Sequence, residues 1–279
     1  MIICKNIRSL QMKLETYKSN NKQISLVPTM GALHQGHLSL VKNARRKKGI
    51  VVVSIYVNPK QFGPNEDYKN YPRNISADIE LLKRLSVDIV FIPRKKGILN
   101  YNISHITYPK LRLEKIMCGK TRTKYFSGVG SIVIKLFDIV KPNYAYFGEK
   151  DFQQYYYIKL ITEKLKIEIK IISGKTVRDK SGLALSSRNL YLSKKEIKLA
   201  VNIIKVLRKT KKELIKNFSP REIININKKV LINRGVSKID YFELRSEQLK
   251  SRIKKGEKSR LFIAAFIGST RLIDNLKVY

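Results

Sequence analysis

Ile24-Ser-Leu-Val-Pro-Thr-Met30-Gly-Ala-Leu-His34-Gln-Gly-His37-Leu-Ser-Leu-Val41 reads as a strand that turns into a helix through one short loop. The apolar segment Ile24 to Val27 has the length and β-branched content of a buried strand, and Leu38, Leu40, Val41 and Ala44 recur afterwards at helical spacing. His34 and His37 therefore fall at the junction. A strand-to-helix junction turns backbone N–H groups and the positive end of the helix dipole toward the crevice, so an anion is its natural guest. Gly31 and Gly36 remove side chains where a phosphate or purine must approach the backbone, and each imidazole can donate a hydrogen bond to a phosphoryl oxygen. The run reads as the phosphate end of a nucleotide site.

On either side of this unit the pattern alternates. Strands are expected at Ile24 to Thr29, Ile50 to Val57, Asp88 to Pro93, Asn143 to Phe147 and Ile167 to Ile172, with helices over 37–48, 75–86, 129–140 and 152–164. Such alternation predicts an α/β fold: a Rossmann-like parallel sheet with helices on both faces, binding its ligands beyond the carboxyl ends of the strands. The informative polar segments do follow expected strands: the histidine run, Asn58 to Arg73, and Gly148 to Asp151. Past Ser193 the texture changes. Ser193-Lys-Lys-Glu196 and Ser219-Pro220-Arg221-Glu222 look like capping boxes opening two helices, followed by strand-like Ile239 to Leu244 and Leu261 to Phe266. These segments predict a first domain over 1–175 and a smaller C-terminal α+β domain over 176–279, able to close as a lid.

A chain of 279 residues, 43% of them hydrophobic, can bury sizeable cores. No segment reaches the apolar length of a membrane span, and the N-terminus lacks a signal-peptide pattern, so a cytoplasmic location is expected. Cys4 and Cys118 are too few for a disulfide framework and are not spaced as a metal knuckle; with His105 standing apart, no structural zinc is expected. The formal charge of +37 would ordinarily suggest a polyanion partner. Here the basic residues are spread along the chain and accompany heavy use of Ile and Asn, the mark of A/T-rich codons. No specific nucleic-acid partner is expected, because neither a localised basic patch nor an aromatic RNA-binding motif is present.

Taken together, Pro28-Thr-Met-Gly-Ala-Leu-His-Gln-Gly-His37, Val53-Ser-Ile-Tyr-Val-Asn-Pro-Lys-Gln-Phe62, Tyr71-Pro-Arg73, Phe147-Gly-Glu-Lys-Asp-Phe-Gln-Gln154 and Gly182-Leu-Ala-Leu-Ser-Ser-Arg-Asn189 resemble the pantoate–β-alanine ligase family, in order and through to the final Arg271-Leu-Ile-Asp274-Asn275. The resemblance implies two half-reactions: pantoate and ATP give pantoyl adenylate and pyrophosphate, then β-alanine displaces AMP to give pantothenate. It implies catalytic roles for His34, His37 and Lys150, with His37 as proton donor and Lys150 as a point charge on the α-phosphate and the pantoate carboxylate. It further implies ATP contacts from Met30, Gly31, Ala32, Leu33, Gln35, Gly36, Gly148, Glu149, Asp151, Val177, Leu185, Ser186, Ser187 and Arg188. The last three resemble the phosphate-clamping KMSKS loop of related adenylating enzymes. Gln61 and Gln154 carry amides suited to pantoate's hydroxyls and carboxylate, and Asn58 is expected to support the phosphates or β-alanine. Magnesium, with Asp78 as a ligand, and a homodimer complete the implied set.

Four departures from the family pattern stand out: Ser181 where Asp is usual, Tyr125 in place of His before Phe126, Cys118 at a commonly acidic position, and a sparse acidic cluster after Tyr71-Pro-Arg73 in which Asp78 remains. A different nucleotidyl-transferring enzyme would share the ATP half, and Gln61 and Gln154 distinguish the ligase from it. No residue presents itself as a base for the β-alanine amine.

Overall fold

A computed structural model describes residues 1–64, 66–103 and 106–279; His105 lies outside this set. The chain forms two compact units, Met1–Glu149 with Gln154–Lys175, and Lys150–Gln153 with Thr176–Tyr279.

In the first unit, strands β1 (Ile2–Cys4), β2 (Ile24–Thr29), β3 (Ile50–Ile55), β4 (Ile89–Phe91), β5 (Tyr144–Gly148) and β6 (Lys170–Gly174) pair in parallel in the order β1-β4-β3-β2-β5-β6. The connecting helices are α1 (Ile7–Ser19), α2 (Gln35–Arg45), α3 (Ile75–Arg84), α4 (Lys95–Leu99), α5 (Cys118–Thr121), α6 (Tyr125–Val140) and α7 (Phe152–Lys164). Helices flank the sheet, which explains why β3 is buried along its whole length and built as an unbroken Ile-Val-Val-Val-Ser-Ile run. Val27, Val41, Ala44, Val51, Val53, Leu82 and Val90 pack into one core there. Each fully buried branched side chain contributes roughly 1.5–3 kcal/mol relative to exposure.

Strand order reverses at β2, whose neighbours are β3 on one side and β5 on the other. Pro28 gives that point its shape. Lacking an N–H, it cannot serve a second ladder; the pairing of β2 with β3 continues to Thr29 opposite Ile55, whereas the pairing with β5 ends at Leu26 opposite Ala145. The carboxyl ends of β2 and β5 are thus released from one another where an open α/β sheet receives its ligand.

Element bounds shift from the sequence reading for identifiable reasons. The helix expected over 37–48 begins at Gln35 because His34 caps it. The strand expected to open at Ile167 starts at Lys170, since the Ile167 amide still bonds Thr162 O and finishes the turn after α7. The helix expected over 129–140 starts at Tyr125. The pattern did not disclose β1 or α1: β1 is a three-residue edge strand, and α1 buries only Leu10 and Leu14 behind its Asn6 cap.

In the second unit, α8 (Lys194–Lys216) and α9 (Pro220–Asn233) pack on the antiparallel sheet β7-β8-β9, with β7 at Lys238–Ser246, β8 at Ser259–Ile267 and β9 at Thr270–Lys277. Ser193 and Glu196 form the capping box expected for α8; Pro220 occupies the first turn of α9, but the box expected there does not form, since Ser219 caps no backbone amide and its hydroxyl donates to Glu222 Oε2 instead. Ile203, Ile204, Leu207, Leu231, Phe242, Leu261 and Ile263 share its core. No helix among the described residues is long and apolar enough to cross a membrane.

Candidate active site

The loop leaving β2 is held by two consecutive residues of left-handed backbone, Gly31 (φ 80) and Ala32 (φ 50). Successive residues of this kind point their amides into one concavity that favours an anion. Here that anion belongs to the protein. Asp78 Oδ2 accepts from Ala32 N at 2.9 Å and Oδ1 from Leu33 N at 2.7 Å. Asp78 is 3% exposed; burial pushes its carboxyl above the usual range, and the Leu33 and Ala32 amides pull back part of that rise. Expected as a magnesium ligand, Asp78 has both oxygens committed to the loop backbone. No group of three or more His, Cys, Asp or Glu able to hold a metal occurs among the described residues.

With the loop braced, the histidines follow from cap chemistry. His34 is the N-cap of α2, and its Nδ1 accepts from Gly36 N at 3.1 Å. His37 reaches back, its Nδ1 accepting from His34 N at 3.3 Å, and the ring centroids stand 4.1 Å apart. A histidine pair thus replaces the usual Ser/Thr and Glu/Gln of a capping box. Each Nδ1 accepts, so in the neutral ring the proton sits on Nε2, and both imidazoles present an N–H donor from the same end of the helix.

A second cluster in the same unit joins Asn58, Gln61, Gln154 and Tyr125. Asn58, 2% exposed, caps the turn Pro59–Gln61: Oδ1 accepts from Lys60 N and Nδ2 donates to Gly128 O, both at 3.0 Å. Its amide, expected to support substrate, holds the Gln61 turn against α6. That turn and α6 touch backbone to backbone, for a Cβ on Gly128 would lie 1.9 Å from Lys60 O. Gln61 Nε2 donates to Gln154 Oε1 at 3.4 Å, and Tyr125 Oη donates to the same oxygen at 2.8 Å. Gln154 Oε1 is therefore an acceptor with two donors, and the amide hydrogens of Gln154 and the carbonyl of Gln61 are its complement for a ligand.

Arg122 backs this cluster. Its guanidinium forms a fork with Glu66, Nε to Oε1 at 2.6 Å and Nη2 to Oε2 at 2.5 Å, while Nη2 donates to Gln61 O at 2.9 Å and the Tyr125 ring lies 3.8 Å away. Burial disfavours the Arg122 charge, but the Glu66 hydrogen bond together with the charge interactions with Tyr125, Glu66 and Cys118 outweighs it and raises the Arg122 pKa. The sequence reading noted Tyr125 without assigning it a task, and Glu66 carried no signal. Glu149, after β5, is turned onto Ser173, whose hydroxyl donates to Oε1 at 3.0 Å.

In the second unit, Lys150 Nζ lies 3.6 Å from Asp151 Oδ1. Val177 and Leu185, expected at the nucleotide, are brought together by Leu185 N donating to Val177 O at 3.0 Å, beside a bridge between Arg178 and Ala184. This hairpin delivers Ser186, whose Oγ accepts from Arg188 N at 3.3 Å and caps the turn Ser187–Tyr191. Ser181, the departure from Asp, closes the hairpin tip by donating both N and Oγ to Asp179 Oδ1.

The pantoate-beta-alanine ligase family model matches residues 2–277. A pantothenate synthetase from Buchnera aphidicola subsp. Acyrthosiphon pisum (strain Tuc7) is 42% identical over 283 residues, covering 100% of this chain and 99% of that protein. One from Thermosipho africanus is 41% identical over 278 residues, covering 99% of each. Among solved structures, pantothenate synthetase from Thermus thermophilus superimposes with a TM-score of 0.91 at 34% identity over 100% of both chains. Pantoate-beta-alanine ligase from Francisella tularensis, complexed with beta-gamma ATP and beta-alanine, gives 0.81 at 38% identity over 100% of this chain and 98% of that one.

Proposed function

This chain belongs to the pantoate–β-alanine ligase family, and on that basis we propose how its residues divide the work of joining pantoate to β-alanine at the expense of ATP. The protein is an ATP-dependent ligase of pantothenate synthesis. In the first step a pantoate carboxylate oxygen attacks the α-phosphorus of ATP and the bond to pyrophosphate breaks. In the second, the β-alanine nitrogen attacks the activated carbonyl, loses a proton, and AMP leaves with the electron pair of the acyl–oxygen bond.

The observation that carries the division is the reciprocal histidine cap, which sets two Nε2–H donors at the N-terminus of α2. Donors fixed before reaction cost no reorganisation when charge develops on the departing pyrophosphate. His37 supplies the proton or hydrogen bond to that leaving group and His34 its neighbour. Lys150 brings a mobile positive charge to the α-phosphate and to the carboxylate, and Ser186, Ser187 and Arg188 hold the outgoing phosphates. Gln61 and Gln154 read pantoate's hydroxyls and carboxylate. Met30, Gly31, Ala32, Leu33, Gln35 and Gly36 line the nucleotide's approach to the loop; Gly148, Glu149, Asp151, Val177 and Leu185 serve its nucleoside end.

Asn58 and Asp78 act through the backbone they hold. The donor set does not fit a protein-held magnesium ion: among the described residues no three His, Cys, Asp or Glu come together, and each Asp78 oxygen already accepts a loop amide. Magnesium carried in on the nucleotide's own phosphates would supply neutralisation of their charge. A homodimer rests on the family resemblance, and a cytoplasmic location stays the expectation drawn from the sequence pattern.

The test is release of pyrophosphate and AMP from ATP with pantoate and β-alanine supplied together or singly. Pyrophosphate with pantoate alone, and AMP once β-alanine is added, is the expected result. No pantoate-dependent pyrophosphate from folded protein would overturn the assignment.

A further inference from the structure

The terminal Arg271-Leu-Ile-Asp274-Asn275 segment lies in β9, with the Asp274 and Asn275 side chains buried. Asn275 is 3% exposed and both ends of its amide are engaged: Oδ1 accepts from Arg260 Nη1 at 2.7 Å, and Nδ2 donates to the backbone oxygen of Lys150 at 2.9 Å. The amide can take only one orientation there, because its acceptor end faces a guanidinium and its donor end a carbonyl. Arg260 also lies over the Phe152 ring, 4.3 Å from its centroid, so the group that orients Asn275 packs on the segment carrying Lys150.

Asp274 extends the brace to the phosphate loop. Its oxygens accept from Arg178 Nη1 at 2.6 Å and Nη2 at 2.8 Å. Arg178 in turn donates to Gly182 O at 3.1 Å and to Asn275 O at 3.2 Å, within the hairpin that delivers Ser186. Two neighbouring residues of one strand thus hold the Lys150 backbone and the base of the Ser186–Arg188 loop.

We propose that Asn275 is the positioning residue for Lys150, fixing its main chain through the Nδ2–H···O bond while Asp274 holds the phosphate loop in the same frame. The inference rests on the reading of Lys150 as the charge that acts on the α-phosphate. A four-carbon side chain places its ammonium reproducibly only when its Cα is fixed, and misplacement by about 1 Å in a reacting site can cost about 100-fold in rate.

The experiment is pantoate-dependent pyrophosphate release by wild type, Asn275→Ala, Asn275→Asp, Lys150→Ala and the Asn275→Ala/Lys150→Ala double variant, with folding checked by thermal unfolding. Asn275→Ala should lower kcat by about 10- to 100-fold with little change in the KM for ATP. That loss should vanish in the Lys150→Ala background, because a residue acting through Lys150 has nothing to position once the ammonium is gone. Asn275→Asp keeps the acceptor for Arg260 but sets an oxygen against Lys150 O, so it should be as slow as Asn275→Ala. Combined with Lys150→Ala in its own double variant, it supplies the same comparison if the alanine variant does not fold. Equal loss with and without Lys150, or wild-type kcat in folded Asn275→Ala or Asn275→Asp, would overturn the inference. Wild-type kcat in Lys150→Ala would overturn the underlying reading of Lys150 as well, and so separates the two failures.

Discussion

Tyr125 Oη donates to Gln154 Oε1 at 2.8 Å, the same oxygen that receives Gln61 Nε2 at 3.4 Å. Two donors on one acceptor remove the freedom of the Gln154 amide to flip, and in the proposed function its N–H groups are the ones that meet pantoate. Tyr125 stands where the family usually has histidine, and the hydrogen bond shows what a phenol can do at that position.

Removing the hydroxyl tests this. A hydrogen bond of this type contributes about 0.5–1.5 kcal/mol, so Tyr125→Phe should raise the pantoate KM by about 2- to 10-fold. The KM for ATP should stay near wild type, and Tyr125→His, which restores a donor, should recover much of the loss. Steady-state kinetics in each substrate separately checks it, and equal rises in both KM values would count against an orienting role.

Asp78 offers a test of brace against metal ligand. Asp78→Ala leaves the Ala32 and Leu33 amides without their acceptor, at about 1–3 kcal/mol, and should lower the Tm along with activity. The magnesium concentration giving half-maximal rate should be unchanged. A variant with wild-type Tm and a large rise in that concentration would return Asp78 to metal binding.

The direction of the Asp78 shift has its own consequence. Burial raises its pKa above the unfolded value, so the folded state binds the proton more tightly than the unfolded chain. Its contribution to stability is therefore fully present below the unfolded pKa and is lost as pH rises through the folded pKa. Asp78→Asn cannot titrate. The Tm of wild type relative to Asp78→Asn should rise as pH falls through the carboxylate range, and melting curves at stepped pH would show it; a difference moving the other way would contradict the shift.

Gly128 is where the Gln61 turn meets α6. A Cβ there would sit 1.9 Å from Lys60 O, a backbone atom that cannot swing aside. Gly128→Ala should destabilise the protein by about 1–3 kcal/mol through overpacking. Because Gly128 O is also the acceptor for Asn58, pantoate binding should weaken in parallel. Chemical denaturation and pantoate titration measure the two effects.

Much of the fold was legible because it is local. The strand-loop-helix unit around His34 and His37 is written in contiguous residues: β-branched run, positive-φ glycine, apolar positions at helical spacing. The motif order carried the family and the candidate residues. Short edge strand β1 escaped, since three residues make no period and its pairing with β4 lies far along the chain. Neither did local pattern show that Asn58 and Asp78 spend their polar atoms on backbone.

What the sequence determined by itself was therefore the kind of chemistry and the succession of elements, because propensity, periodicity and motif spacing act between near neighbours. Tertiary structure decided which groups meet: Gln61 with Gln154 across 93 residues, and Asn275 with Lys150 across 125. Such bonds leave no local signature. An amide reads alike in a sequence whether it faces water, a substrate or a buried carbonyl, and only the closing of long loops around the cores brings each one to its partner.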